Sequence, residues 1–251
     1  MPHLFVNRPR LHDLTDDSAS LRDRFRWETI NAVVYVAGGI VFIIGSVLFF
    51  PALSAYADLG AWVFIVGSLL YLLVTGHDMA EVLCHIRTGT AVRTVWGVLE
   101  FWAAFSYIAG TVLFIIGSVF FLSAVGHFTA GAWCFVFGSL LFVVGAVINV
   151  LQIVLTKDMM TLQLLNLTAI TFITGSALFA VASIPYLFAL RDPSDKETID
   201  TFLAWQYVAG SVLFLAGGIF NYCRAYLVMR SQIAESQHAS DNQRKRPANP
   251  T

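Results

Sequence analysis

A ten-residue phrase recurs three times along the chain, and each time it lies inside an apolar run: WVFIVGSLLY from Trp62, WCFVFGSLLF from Trp133 and WQYVAGSVLF from Trp205. A shorter form places one aromatic three residues before a glycine and another four after it. It opens the other three apolar runs, as YVAGGIVF from Tyr35, YIAGTVLF from Tyr107 and FITGSALF from Phe172. Repetition at such a period means that one supersecondary unit has been copied along the chain. Here the unit is a pair of apolar runs. The fold class expected is all-α: a polytopic membrane helical bundle, with six transmembrane helices arranged as three repeated helical hairpins.

Composition points the same way. Of 251 residues, 57% are apolar and only 12% charged, and mean hydropathy is +0.72, whereas soluble domains carry roughly 25% charge. A spanning helix needs about 20 mostly apolar residues. The runs predict spans over 30–50, 60–76, 103–124, 131–152, 167–189 and 202–223, the second extended past the bilayer edge by TGHDMAEVLCHIR. The chain then divides into a polar N-terminal segment (1–26), hairpins over 27–87, 91–155 and a divergent 162–230, and a tail (231–251). The tail is rich in Gln, Ser, Asn and Pro and is expected to be disordered, because it has too little apolar surface to bury. No apolar stretch typical of a secretory signal precedes the first span. The basic residues form no stripe suited to nucleic acid. The partner expected is the lipid bilayer, with a protein partner or a second copy of the chain left open.

Charge sets the expected orientation. With six spans, both termini and the loops at 77–102 and 153–166 share one side, and that side holds 13 of the 15 Lys and Arg residues. The other side holds only Arg191 and Lys196. The excess of positive charge predicts a multi-pass protein, expected in the plasma membrane, with both termini in the cytoplasm.

Within the runs, small residues recur at a spacing of seven: Gly38 and Gly45, Gly110 and Gly117, Gly138 and Gly145, Gly210 and Gly217. Gly175 is paired with Ala182, and Gly67 is followed by Val74. Seven residues make two helical turns, so each pair lies on one face. In lipid, close approach over small residues holds helices together, and these positions predict packing seams. Ser46, Ser68, Ser118, Ser139 and Ser211, beside the glycines, can hydrogen-bond across such seams. Trp62, Trp133 and Trp205 open the even-numbered spans, where indole rings serve as interfacial anchors. Because the unit holds two helices, all copies enter the membrane in the same sense, which predicts an approximate threefold axis along the membrane normal. Inverted repeats of secondary transporters need an odd number of helices per unit.

At the cytoplasmic end, eleven residues beyond each even-span glycine, the chain places Asp78, Asn149 and Asn221, followed three residues later by Glu81, Gln152 and Arg224. Glu28 and Glu100 each precede a motif aromatic by seven. If the hairpins pack around one axis, Glu28, Glu100, Asp78, Asn149 and Asn221 form a polar ring. Such a ring is expected to be hydrogen-bonded glue, with an ion or metabolite site as the alternative. Were Glu28 and Glu100 to face each other in a buried site, one of them would favour binding a proton.

Little else suggests chemistry. His77, Glu81 and His85 share one helix face, but His77 and His85 stand about 12 Å apart along it, too far for one metal, and no third ligand beside His77 and Glu81 is evident in the sequence. No metal site is expected, no histidine lies at span depth for haem, and no base accompanies the intramembrane serines. No cofactor and no enzymatic activity are expected.

The strings GAWVFIVGSLLY from Gly60 and GAWCFVFGSLLF from Gly131 resemble the YrhK-like domain, a small membrane module that pairs an aromatic-x-x-Gly helix with a Gly-x-Trp-x-Phe-x-x-Gly-Ser helix. The third copy, LAWQYVAGSVLF from Leu203, is similar but lacks the first glycine, and its preceding helix carries Ala182 and Pro185. The resemblance covers about residues 30–225. It implies tandem membrane hairpins without catalytic residues. The function expected is a structural or interaction module; the alternative is a small transporter or channel for an ion, proton or small metabolite that uses the polar ring.

Overall fold

A computed structural model of the chain describes residues 21–87, 95–152, 159–188 and 193–244, and all of the regular structure among them is helical. Six α-helices follow one another: α1 (Leu21–Leu48), α2 (Ala57–Arg87), α3 (Val95–Phe120), α4 (Phe128–Gln152), α5 (Met159–Ser183) and α6 (Pro193–Arg244). All six are long and apolar enough to cross a membrane. In hydrocarbon every backbone polar group must be paired internally, which is why runs of this kind fold as helices.

The turns joining odd to even helices carry their own signals. Short 3-10 segments occupy Pro51–Tyr56 and Ile184–Leu187. Both hold a proline in the first turn, where its missing N–H costs nothing and its fixed φ starts a new helix. Between α3 and α4 the chain reverses through Gly126, whose N–H donates to the carbonyl of Leu122 at 2.8 Å. Its φ of +66° is a left-handed conformation open to glycine at little cost. At the same end, Asp58 accepts hydrogen bonds from the backbone N–H of Ser123 (2.8 Å) and from its hydroxyl, tying the first hairpin turn to the second.

Each helix packs against its neighbours in the chain, and α6 returns to α1, so the six close into a ring. Large apolar side chains such as Ile44, Leu73, Phe137, Leu140 and Val212 face outward, as lipid requires. Trp62, Trp133 and Trp205 lie on that outer surface at the hairpin-turn end.

The interior is a column of aromatic rings. Along each helix an aromatic side chain recurs every seventh residue and points to the axis: Tyr35 and Phe42 on α1, Phe64 and Tyr71 on α2, Tyr107 and Phe114 on α3, Phe135 and Phe142 on α4, Phe172 and Phe179 on α5, Tyr207 and Phe214 on α6. Phe42, Phe114 and Phe179 occupy equivalent places in the three hairpins. Their ring centroids are 6.2, 6.1 and 5.6 Å apart, close to an equilateral triangle about the expected threefold axis.

Every glycine three residues beyond such an aromatic, Gly217 excepted, meets a ring of its hairpin partner. A methyl group on Gly38 would stand 2.7 Å from Tyr71, on Gly45 2.7 Å from Phe64, and on Gly67 2.8 Å from Phe42. The second hairpin repeats the register: Gly110 with Phe142, Gly117 with Phe135, Gly138 with Phe114, Gly145 with Tyr107. In the third, Gly175 meets Phe214 and Gly210 meets Phe179, while Gly217 meets Thr171. The seam read from the sequence is therefore a two-way lock, with aromatic rings seated in glycine notches. Backbones approach closely as well, since a methyl group on Gly175 would lie 3.0 Å from the carbonyl oxygen of Gly210.

The serines depart from the expectation that they bond across the seam. Ser46, Ser118 and Ser176 donate at 2.8 Å to the carbonyl four residues back in their own helix, a common outlet for a hydroxyl in an apolar helix. Among the described residues, Ser68 and Ser139 show no hydrogen-bond partner for their hydroxyls. A hydroxyl pair does cross where the ring closes, Ser46 to Ser211 at 3.0 Å. Closure also uses two glycines that the repeat does not require. Gly39 packs on Leu215, and Gly218 lies against the ring edge of Tyr35, whose hydroxyl donates to the carbonyl of Phe214 at 3.2 Å.

The tail is a further difference. α6 continues to Arg244, so residues 231–244, expected to be disordered, are helical. Propagating an existing helix costs far less than nucleating one, and Ile233, Ala234, Glu235, Gln237 and Ala239 suit a helix. Residues 1–20 and 245–251 of the terminal segments lie outside the described residues.

Candidate functional site at the polar end

The aromatic stripes set the position of the polar layer. Asp78, Asn149 and Asn221 stand seven residues beyond Tyr71, Phe142 and Phe214, so the helix turn that aims those rings at the axis aims these groups there too. All three are buried. Glu28, Glu100 and Leu165 hold the matching places on the odd helices, one heptad before Tyr35, Tyr107 and Phe172. Glu100 and Leu165 are buried and Glu28 is half-buried.

These groups divide between two environments. In the second hairpin Asn149, fully buried, donates through Nδ2 to the Tyr107 hydroxyl at 3.0 Å. That bond satisfies a phenol deep in an apolar bundle and ties α4 to α3. Around α1, α2 and α6, Glu28, Asn31, Asp78, Asn221 and Tyr222 line a cavity of about 20 Å³. A space of that size holds one water or one small ion. Neither Glu100 nor Asn149 lines it. The carboxylate of Glu28 acts electrostatically on the buried Arg224. Arg224 also donates to Oδ1 of Asn221 from Nε (3.4 Å) and Nη2 (3.2 Å). The guanidinium supplies the acidic layer with a counter-charge inside the bundle.

On α2, one turn brings three ionisable groups together. Ligating atoms of His77, Asp78 and Glu81 all lie within 4.8 Å of one another. Asp78 and Glu81 are buried, at 1% and 4% exposure. Asn31, reaching from α1, places its Nδ2 3.4 Å from Nδ1 of His77. The sequence pattern places His77, Glu81 and His85 on one face and singles out no third ligand beside His77 and Glu81. Asp78 fills that place, because residues i, i+1 and i+4 of a helix can converge when the first two side chains lean toward the third. The side chain of His85 lies outside the described residues.

The hairpin-turn end holds a second concavity that sequence patterning left unnoticed. It measures about 470 Å³ and is lined from all three hairpins, with Phe50, Phe121 and Tyr186 beside Lys196 and Asp200. The size falls in the range of small-molecule pockets. Phe121 and Tyr186 were legible as continuations of the sevenfold stripe; that the stripe ends in an open bowl depends on how the turns splay.

The family model described as YrhK-like protein matches the chain twice, over residues 25–83 and 97–154. The chain carries tandem YrhK-like repeats. The two matches coincide with the first two hairpins. The third hairpin, beyond the matches, keeps the register of rings and glycines at Gly175 and Gly210. No curated protein and no solved structure matches the chain. Among these YrhK-like repeats, the first supplies the acidic residues of the cavity and the second contributes the buried Asn149–Tyr107 pair.

Proposed function

We propose that this YrhK-like repeat protein is a non-conducting integral membrane module, neither enzyme nor transporter, that acts through its surfaces toward lipid, a protein partner or another copy of itself. The observation that carries this reading is the triangle of Phe42, Phe114 and Phe179. Ring centroids about 6 Å apart leave no space for a hydrated ion between them, and further aromatic layers lie above and below. Each ring is seated against glycine on a neighbouring helix, so opening a path means unseating several rings at once. The basic residues gathered on one side support a cytoplasmic location for both termini.

A transporter reading draws on the cavity lined by Glu28, Asp78 and Asn221, which would serve as a dead-end vestibule unless the column parts. Flux through liposomes containing the purified protein separates the two. With proton-, sodium- and potassium-sensitive dyes inside, the expected rate equals that of empty liposomes. A flux above that rate, lost in Asp78→Asn, would establish transport and end the non-conducting reading.

A further inference from the structure

We infer that the bowl at the hairpin-turn end binds an organic ammonium ion that carries an apolar substituent. The bowl measures about 470 Å³, and its wall includes Phe50, Phe121, Phe128 and Tyr186 together with Lys196 and Asp200 of α6. That volume is too large for a bare ion and suits one small organic molecule. Phe121 and Tyr186 carry the stripes of α3 and α5 one heptad further. Phe121 packs on Phe135 of the aromatic column, with centroids 5.2 Å apart, so the bowl ends on the column rather than continuing through it. Tyr186 and Phe128 stand 5.5 and 5.8 Å from Phe121 with planes at 81° and 78° to it. Rings propped edge to face hold one another in place, so the wall is formed before any ligand arrives.

Two observations set the sign of the ligand's charge. The first is the placement of the two charged side chains. Asp200 is half-buried, within electrostatic reach of Tyr186 and Lys196, whereas Lys196 is exposed. A charge partly withdrawn from water acts more strongly on a ligand than one that water surrounds, so the carboxylate dominates inside the bowl. Aromatic walls act in the same sense, because the face of a ring attracts a cation and such walls recognise quaternary ammonium groups. The second observation is the charge of this end as a whole. Segment 190–201 holds Asp192, Asp195, Glu197 and Asp200 against Arg191 and Lys196, a net charge of −2, and segments 49–59 and 121–130 hold no Lys or Arg. An acidic mouth raises the local concentration of cations. The ammonium is then placed at Asp200, with its substituent among Phe50, Phe121 and Phe128. A free organic amine and the choline headgroup of a lipid both offer this chemistry. Binding here requires no route through the aromatic column, so it stands or falls apart from the non-conducting reading.

The test is calorimetric titration of benzyltrimethylammonium chloride into the full-length protein in dodecyl maltoside micelles, with benzoate as the charge-reversed probe and protein-free micelles as the blank. Saturable binding of one ammonium ion per chain is expected, and no binding of benzoate. Asp200→Asn, nearly isosteric, should weaken binding about tenfold, and Tyr186→Leu should weaken it by a smaller factor. Lys196→Met should tighten it, because a competing positive charge is removed. Arg230→Gln, exposed on α6 toward the polar end, should leave it unchanged, and gel filtration establishes that each variant remains folded. Competition then identifies the source. Displacement by dihexanoyl phosphatidylcholine but not by dihexanoyl phosphatidylglycerol assigns the bowl to a lipid headgroup; displacement by neither assigns it to a free organic ammonium compound. The inference is overturned if the wild-type chain does not bind the ammonium probe saturably, if benzoate binds equally well, or if folded Asp200→Asn binds as wild type does. Displacement by both lipids, or weaker binding in Lys196→Met, overturns it as well, since the bowl would then select an acyl chain or an anionic group.

Discussion

Adding one methyl group at the centre of the second hairpin tests the ring-in-notch packing directly. In Gly138→Ala the new carbon would stand 2.8 Å from Cδ2 of Phe114 and 3.0 Å from the carbonyl oxygen of Gly110. Neither neighbour can yield. The Phe114 ring is hemmed in by Phe135, Phe142 and Phe179, with centroids at 5.1, 5.2 and 5.6 Å, and the carbonyl belongs to the facing backbone. Overfilling a packed core in this way costs about 1–3 kcal/mol. Alanine is also a better helix former than glycine by up to about 1 kcal/mol, which partly masks the clash. Gly76→Ala supplies the reference, because a methyl group there meets nothing within 4 Å. The difference between the two variants isolates packing, and Gly138→Ala should be the less stable by about 1–3 kcal/mol. The assay is unfolding of the purified protein in mixed micelles at rising dodecyl sulfate fraction, followed by circular dichroism. Phe114→Leu should relieve part of the clash, so the double variant should be more stable than the sum of the single effects implies. Equal stability of Gly138→Ala and Gly76→Ala would refute the argument that glycine is needed to seat the rings.

Two further outcomes follow from other contacts. Cysteines replacing Ser46 and Ser211, whose hydroxyls lie 3.0 Å apart, should form a disulfide within one chain when Cys84, Cys134 and Cys223 are replaced by serine. A link between chains, or none, would show that α6 does not close onto α1; gel mobility with and without reductant reads the result. Removing the Tyr107 hydroxyl as Tyr107→Phe leaves the buried Asn149 amide without that bond and should cost about 1–3 kcal/mol. Pairing it with Asn149→Leu should recover most of the loss in the same micelle assay, because no polar group is then left buried.

Much of this architecture was legible in the chain itself. Six apolar runs, repeated glycines and aromatics at fixed offsets are local properties. In a bilayer they have one backbone solution, so spans, hairpins and the seams through Gly110 and Gly138 could be read without coordinates. The spacing of seven also carried the polar layer, since Asp78, Asn149 and Asn221 continue the stripes of Tyr71, Phe142 and Phe214. What depended on tertiary structure is which face meets which. Periodicity tells that Gly38 and Tyr35 share a side of α1. It does not tell that Gly38 receives Tyr71, or that the extra glycines at 39 and 218 close the ring onto α6. The sidedness of the polar layer is the sharper case. Equivalent positions in three hairpins suggested one shared ring, yet the repeats differ in the side chains around them. Tyr107 engages Asn149, Arg224 draws in Glu28 and Asn221, and Asp78 joins His77 and Glu81. Asn221 with Arg224 and Asp78 with His77 and Glu81 are neighbours within one helical turn, whereas Tyr107 with Asn149 and Glu28 with Arg224 are distant in sequence, and only the packed bundle brings those partners together.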